Sequence, residues 1–217
     1  MMNVCQPIET PFEYRHVCWF CGEPSCCNYL FAPSTRYIIE PVHPALSLNT
    51  CKECKVIANQ STAENIWHIR LDVKQGLMRK YHDHLAIGIN WTEQELEEAE
   101  FEGGNFESFK RSAWMMYEIA RERVNFIGWP IEIAGVNIDD LQYLVPEPFI
   151  FDGVEFPCLD DAISHYSRTF GLHKKYLSQV LSFMGKEQFA KAVRFCRLQI
   201  GATPSERKLA LLALNQK

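Results

Sequence analysis

The sequence predicts a mainly α-helical protein with a small β/loop module at its N-terminal end. Three observations carry this reading. Residues 1–60 are rich in Cys, Pro and aromatic side chains and show no helical period until their end. From residue 61 onward, apolar residues recur at three- and four-residue spacing behind helix-start signals. Between "FIF" and "VEF", the pair Asp152-Gly153 is a hairpin signal.

The elements follow in order. Ser61-Thr62-Ala63-Glu64 reads as a capping box, and Ile66, Ile69, Val73, Leu77 and Tyr81 continue one apolar face, which predicts a helix over 61–86. A second box, Thr92-Glu93-Gln94-Glu95, opens a short acidic helix that "EGGN" stops near Gly103. Phe106, Phe109, Ala113, Met116, Tyr117, Ala120 and Val124 predict a central helix reaching about Phe126. Four prolines and short apolar runs make 129–157 a linker with a small β-hairpin. Four further helices are expected at 159–169, 173–184, 186–199 and 204–215, the last opened by Thr203-Pro204-Ser205-Glu206. The chain thus divides into 1–60, 61–128, 129–157 and 158–217.

At 217 residues, with 47% apolar and 23% charged side chains, the chain can bury a core without a metal to rescue it. Its first residues lack the pattern of a secretory signal, and no window approaches roughly 18 uninterrupted apolar residues. A cytoplasmic protein without membrane association is expected. The charge is uneven: residues 1–150 carry 12 Lys and Arg against 21 Asp and Glu, residues 151–217 carry 10 against 6. A polyanionic partner would therefore meet the C-terminal third.

Nine cysteines pose the main chemical question. An odd number and a reducing compartment argue against a disulfide framework. Cys18-x-x-Cys21 and Cys51-x-x-Cys54 stand 29 residues apart, and two such turns close a tetrahedral thiolate shell. Structural Zn2+ is the natural occupant. An iron–sulfur cluster also takes four cysteines, and reduced thiols packed as small hydrophobes are the plain alternative. Gly22 suits a tight knuckle after the first pair, and the second pair runs into a helix start, an arrangement that describes a treble-clef zinc finger followed by helical domains. Cys5, Cys26, Cys27, Cys158 and Cys196 are expected to be spare thiols, although Cys26 or Cys27 could substitute as a ligand.

The stretch "LSLNTCKECKVIAN" resembles the C-terminal half of the four-cysteine HNH endonucleases. In that family a His before the second CxxC activates water while a divalent cation stabilises the leaving phosphate oxygen. The resemblance implies His43 as the catalytic residue, with Asn49 and Asn59 in supporting positions. The sequence departs from the pattern at Val42, where the family usually has a metal-binding residue, and in the seven-residue gap before Cys51.

With Gly171 as the turn glycine of a helix-turn-helix, Tyr166, Phe170, Leu172, Leu177 and Val180 occupy the buried positions and Ser167 the close-packing site. The second helix then exposes His173, Lys174, Lys175, Ser178, Gln179 and Ser182, donors for phosphate and base edges. Lys191 and Arg194 add phosphate-contacting cations at helical spacing. The segment "FIFDGVEFPCLDDAISHYSRTFGLHKKYLSQVL" is similar to the DNA-binding modules that accompany homing endonucleases. These features predict a zinc-containing protein that binds DNA or RNA, its zinc structural. The alternatives are an HNH-type nuclease using His43 and a second divalent cation, and an adapter that docks a protein through the acidic segment 93–102. His82 and His84 are two apart and face different ways on a helix, so no second metal site is expected from them. No nucleotide-binding glycine motif occurs.

Overall fold

Alternation of side chains builds the first sheet. In β3 (Leu46–Thr50), Leu46, Leu48 and Thr50 are buried and the residues between them are not. β2 (Cys27–Phe31) pairs with it antiparallel and buries Tyr29 and Phe31, while β1 (Gln6–Pro7) adds a parallel edge on the other side. The computed structural model describes residues 5–31, 43–99, 106–138 and 148–214, which fall into two compact units, Met1–Pro157 and Cys158–Lys217. It is mostly helical with small sheets, and among the described residues no helix is long and apolar enough to cross a membrane.

In the first unit, α1 (Lys52–Ala58) leaves β3 through the N-cap Cys51 and packs on β2 and α2 (Ile66–Lys80). Gly76 of α2 permits that approach, because a Cβ there would stand 2.5 Å from Ile57. The helix expected over 61–86 is replaced by α2 and α3 (His82–Asn90). Ser61 does not cap: its hydroxyl bonds Asp72 and accepts the Ala63 N–H at 3.1 Å, forming a local turn. The cap is Asn65, which accepts the His68 N–H at 2.9 Å. Tyr81 leaves the helical path at φ −100° and ψ 19°, which separates the two helices.

The Thr92 box forms as expected at the start of α4 (Glu93–Glu98), with Glu95 N–H bonded to Thr92 Oγ1 and Thr92 N–H to Glu95 Oε2. Lys110 Nζ closes the other end by donating to the Glu97 and Ala99 carbonyls at 2.7 and 3.0 Å. The stop expected near Gly103 lies outside the described residues. α5 (Phe106–Asn125) is the hub of the unit and contacts α2, α3, α4 and β7. Its terminal Asn125 clasps the hairpin of β6 (Phe149–Phe151) and β7 (Val154–Phe156), donating to Gly153 O and accepting the Glu155 N–H. The loop residues Asp152 and Gly153 take φ of 49° and 70°, as a two-residue hairpin turn requires. A second hairpin, β4 (Glu132–Ile133) and β5 (Val136–Asn137), occupies the start of the segment expected as linker.

The second unit holds α6 (Leu159–Thr169), α7 (Lys174–Met184), α8 (Phe189–Leu198) and α9 (Pro204–Leu214), with a 3-10 turn at Lys186–Gln188. Its core gathers Ala162, Ile163, Tyr166, Leu177, Val180, Phe189 and Ala192, and Tyr166 meets Phe189 edge-on at 5.3 Å. The Thr203 box caps α9, with Thr203 N–H to Glu206 Oε2 at 2.7 Å and Glu206 N–H to Thr203 Oγ1 at 3.3 Å.

Candidate metal centre

Two short segments present four sulfurs to one point. The first is a knuckle: Cys18 N–H donates to Glu23 O at 2.7 Å, Gly22 N–H donates to Cys18 O at 3.0 Å, and Gly22 takes φ +76°. The second is the first turn of α1, where Cys51 is the N-cap and its sulfur accepts the Cys54 N–H at 3.4 Å. A bond from Trp19 N–H to Asn49 O at 3.0 Å joins the segments. The sulfurs of Cys18, Cys21, Cys51 and Cys54 all lie within 4.8 Å of one another, and no disulfide links them.

The spacing suits a metal ion. Tetrahedral bonds of about 2.3 Å to sulfur place neighbouring sulfurs about 3.8 Å apart, and Cys21 Sγ and Cys51 Sγ are 3.8 Å apart. Cys18, Cys21 and Cys54 are buried and Cys51 is half-buried, so the donor set is a closed, soft, four-sulfur pocket that could hold a metal ion.

Electrostatics point the same way. Neighbouring sulfurs push the Cys54 thiol far up, with Cys18 the largest influence, and Cys21 is raised chiefly by Cys18. Cys18 is held low by hydrogen bonds from Cys21, Cys51 and Cys54. At Cys51 the push from Cys18 is outweighed by Cys21 and Cys54, which bring it to about 6. The four crowded thiols thus oppose full ionisation of one another, an opposition that a cation among them would relieve.

A cation already stands beside it. Arg123, near the end of α5, donates from Nη2 to Cys21 Sγ at 3.7 Å and also to Glu53. Glu53 sits between the second pair of cysteines and receives Lys80 and the Tyr81 hydroxyl, the latter at 3.0 Å. Burial raises the Glu53 carboxyl, but Lys80 and Arg123 outweigh it and hold the group below its ordinary value. Arg123 also lies over the Tyr81 ring at 4.8 Å. Nothing in "RERV" marks Arg123 in the sequence.

The other candidate residues are dispersed. His43 is buried, 3% exposed, between Phe31 and Trp67. Its Nδ1 donates to Pro44 O at 2.8 Å and its Nε2 accepts the Ile66 N–H at 2.9 Å. With both nitrogens engaged, the ring supports the start of α2 and has no nitrogen left for water or a cation. Asn49 donates to Arg15 O, and Asn59 is the C-cap of α1. Among the described residues, the four cysteines are the group that could hold an ion; His82 pairs with its neighbour Asp83.

In the second unit, His173, Lys174, Lys175 and Gln179 are exposed on or just before α7, and Lys191 and Arg194 are exposed on α8. Lys174 pairs with Asp160 at 2.8 Å. The acidic segment is described only as far as residue 99. Cys5 lies before β1, Cys158 is the N-cap of α6 and Cys196 is buried on α8. No family model, curated protein or solved structure matches the chain.

Proposed function

We propose that the protein binds nucleic acid through a helix-turn-helix formed by α6 and α7, while a treble-clef zinc finger serves as a structural centre in the first unit. The observation that carries the nucleic-acid reading is the turn at Gly171. There Gly171 N–H bonds Arg168 O at 3.3 Å, Leu172 N–H bonds Ser167 O at 2.8 Å, and Gly171 takes φ +63°. This closure stops α6, buries Leu172 and starts α7 two residues later, so that His173, Lys174, Lys175 and Gln179 stand on an exposed face. Tyr166, Ser167, Leu177 and Val180 are buried beneath it. Phe183, one turn beyond Gln179 and 50% exposed, offers the apolar contact that a thymine methyl or an unstacked base accepts.

Charge supports the same face. Residues 158–217 hold 10 Lys and Arg against 4 Asp and Glu, and exposed pairs such as Lys174–Asp160 contribute only about 0.2–1 kcal/mol, so a phosphate can replace the carboxylate. For the metal, a knuckle, two antiparallel strands and a helix with a ligand at its N-cap support the treble-clef reading. Four sulfurs with no open position support zinc in a structural rather than catalytic role.

The test is fluorescence anisotropy with labelled duplex DNA, duplex RNA and single strands at low salt. Binding should weaken linearly in log–log form as salt rises, and Lys174→Glu with Lys175→Glu should abolish it without altering the circular dichroism. Absence of binding to every probe, or indifference to the double variant, refutes the reading. Elemental analysis should return one zinc per chain, and iron with visible absorption would refute the zinc assignment. His43, with both nitrogens engaged, gives no support to nuclease chemistry.

A further inference from the structure

Cys26 and Cys27 stand outside the four-sulfur cluster, where the chain enters β2. Their sulfurs are 4.0 Å apart, with Cys26 exposed and Cys27 half-buried. Consecutive residues of a regular strand point to opposite faces, but Cys26 precedes the strand, and the chain path brings the two thiols together. One carbonyl anchors both residues: Thr50 O accepts the Cys26 N–H at 3.1 Å and the Cys27 thiol at 3.3 Å.

Two thiols this close invite oxidation, and their covalent geometry opposes it. Adjacent Cα atoms are about 3.8 Å apart, whereas an unstrained disulfide needs about 4.4–6.8 Å. Closing the sulfurs to about 2.05 Å would strain the peptide between them and pull Cys27 from Thr50 O. A third atom placed between the sulfurs needs no such closure. It also takes advantage of the chelate, since the second bond forms within the same molecule.

We propose that Cys26 and Cys27 form a bidentate site for a thiophilic centre, namely a trivalent arsenical of the R–As(OH)2 class. Two As–S bonds form and two As–O bonds break. The two thiol protons leave with the two hydroxyls as water, and arsenic remains trivalent, so no oxidant or reductant takes part. Exposure at Cys26 admits the reagent, and the Thr50 anchor keeps the second sulfur in position after the first bond forms. Cys5, Cys158 and Cys196 lie on other elements and offer single thiols, which lack the chelate. The inference depends neither on nucleic-acid binding nor on which metal the other four cysteines hold.

The test uses the full metal-loaded chain and phenylarsine oxide as the probe, read by intact-protein mass spectrometry alongside metal analysis. One adduct per chain is expected, resistant to a monothiol, removed by a 1,2-dithiol, and formed without loss of bound metal. Cys26→Ser and Cys27→Ser should each abolish it, whereas Cys158→Ser should not. Both serine variants should keep the parent melting temperature and metal content, which separates loss of the site from loss of the fold. Absence of an adduct, an adduct that survives in either variant, or one formed only with release of metal overturns the proposal.

Discussion

Arg123 Nη2 donates to Cys21 Sγ at 3.7 Å, which ties the last turns of α5 to the four-sulfur cluster. Four thiolates around a divalent ion would carry two net negative charges, and the half-buried Arg123 guanidinium would offset part of that charge. Burial opposes the charge on Arg123, but Cys21 and Glu53 outweigh it and hold the group protonated.

Arg123→Gln should therefore lower metal affinity by about 10-fold, the lower end for removal of an outer-shell partner. Competition between the protein and a chromophoric chelator measures it. Arg123→Lys should recover part of the loss, because it restores charge without the two-pronged contact to Cys21 and Glu53.

Removal of the metal should destabilise the first unit and leave the second unchanged. Cys51 and Cys54 begin α1 and Cys18 begins the knuckle, so the stripped sulfurs repel one another at the junction of sheet and helix. Chelation, or Cys54→Ser, should lower the melting temperature of the first unit by on the order of 10 °C. Calorimetry should resolve this from an unmoved transition of residues 158–217.

Acid should destabilise the first unit through His43. Burial holds its pKa below the ordinary 6.5, so below that pH the unfolded chain binds a proton that the folded chain excludes. Stability from this group is complete above 6.5 and is lost as pH falls from there through the folded value. Urea unfolding between pH 7 and 5 should show the decline, and His43→Gln should flatten it while lowering stability at pH 7.

Much of the helical fold is legible because short-range chemistry decides it. The Thr92 and Thr203 boxes form, since in each the hydroxyl is free to reach the N–H three residues on. The Ser61 box has the same letters and fails, because Asp72, in the second turn of α2, captures the hydroxyl and Asn65 takes the cap. The β4–β5 hairpin escapes notice because its turn begins with Ala134 at φ 51°, a residue that signals no such turn. The four cysteines are legible from spacing alone, whereas Arg123 comes from 102 residues further along the chain than Cys21 and only folding reveals it.

Gly171→Ala should destabilise the second unit by about 1 kcal/mol, since φ +63° places a Cβ in the left-handed region. Nothing lies within 4 Å of that added Cβ, so the cost is backbone strain alone. Urea unfolding of the variant measures it.

The Lys74–Glu155 pair joins α2 to β7 at 2.9 Å, with the lysine side chain 3% exposed. Glu155→Ala should cost about 2 kcal/mol by stranding that ammonium. Adding Lys74→Met should recover most of the loss, and equilibrium unfolding of the three variants checks both steps.

The residues between the first two sulfurs, Trp19 and Phe20, are wholly buried, and the Trp19 ring N–H donates to Trp129 O at 2.9 Å. Loosening of the four-sulfur cluster and opening of the apolar interior would thus be one event rather than two. A newly synthesised chain would then close its four-sulfur cluster only as residues as distant as Trp129 arrive, and a chain whose cluster is open would expose Trp19.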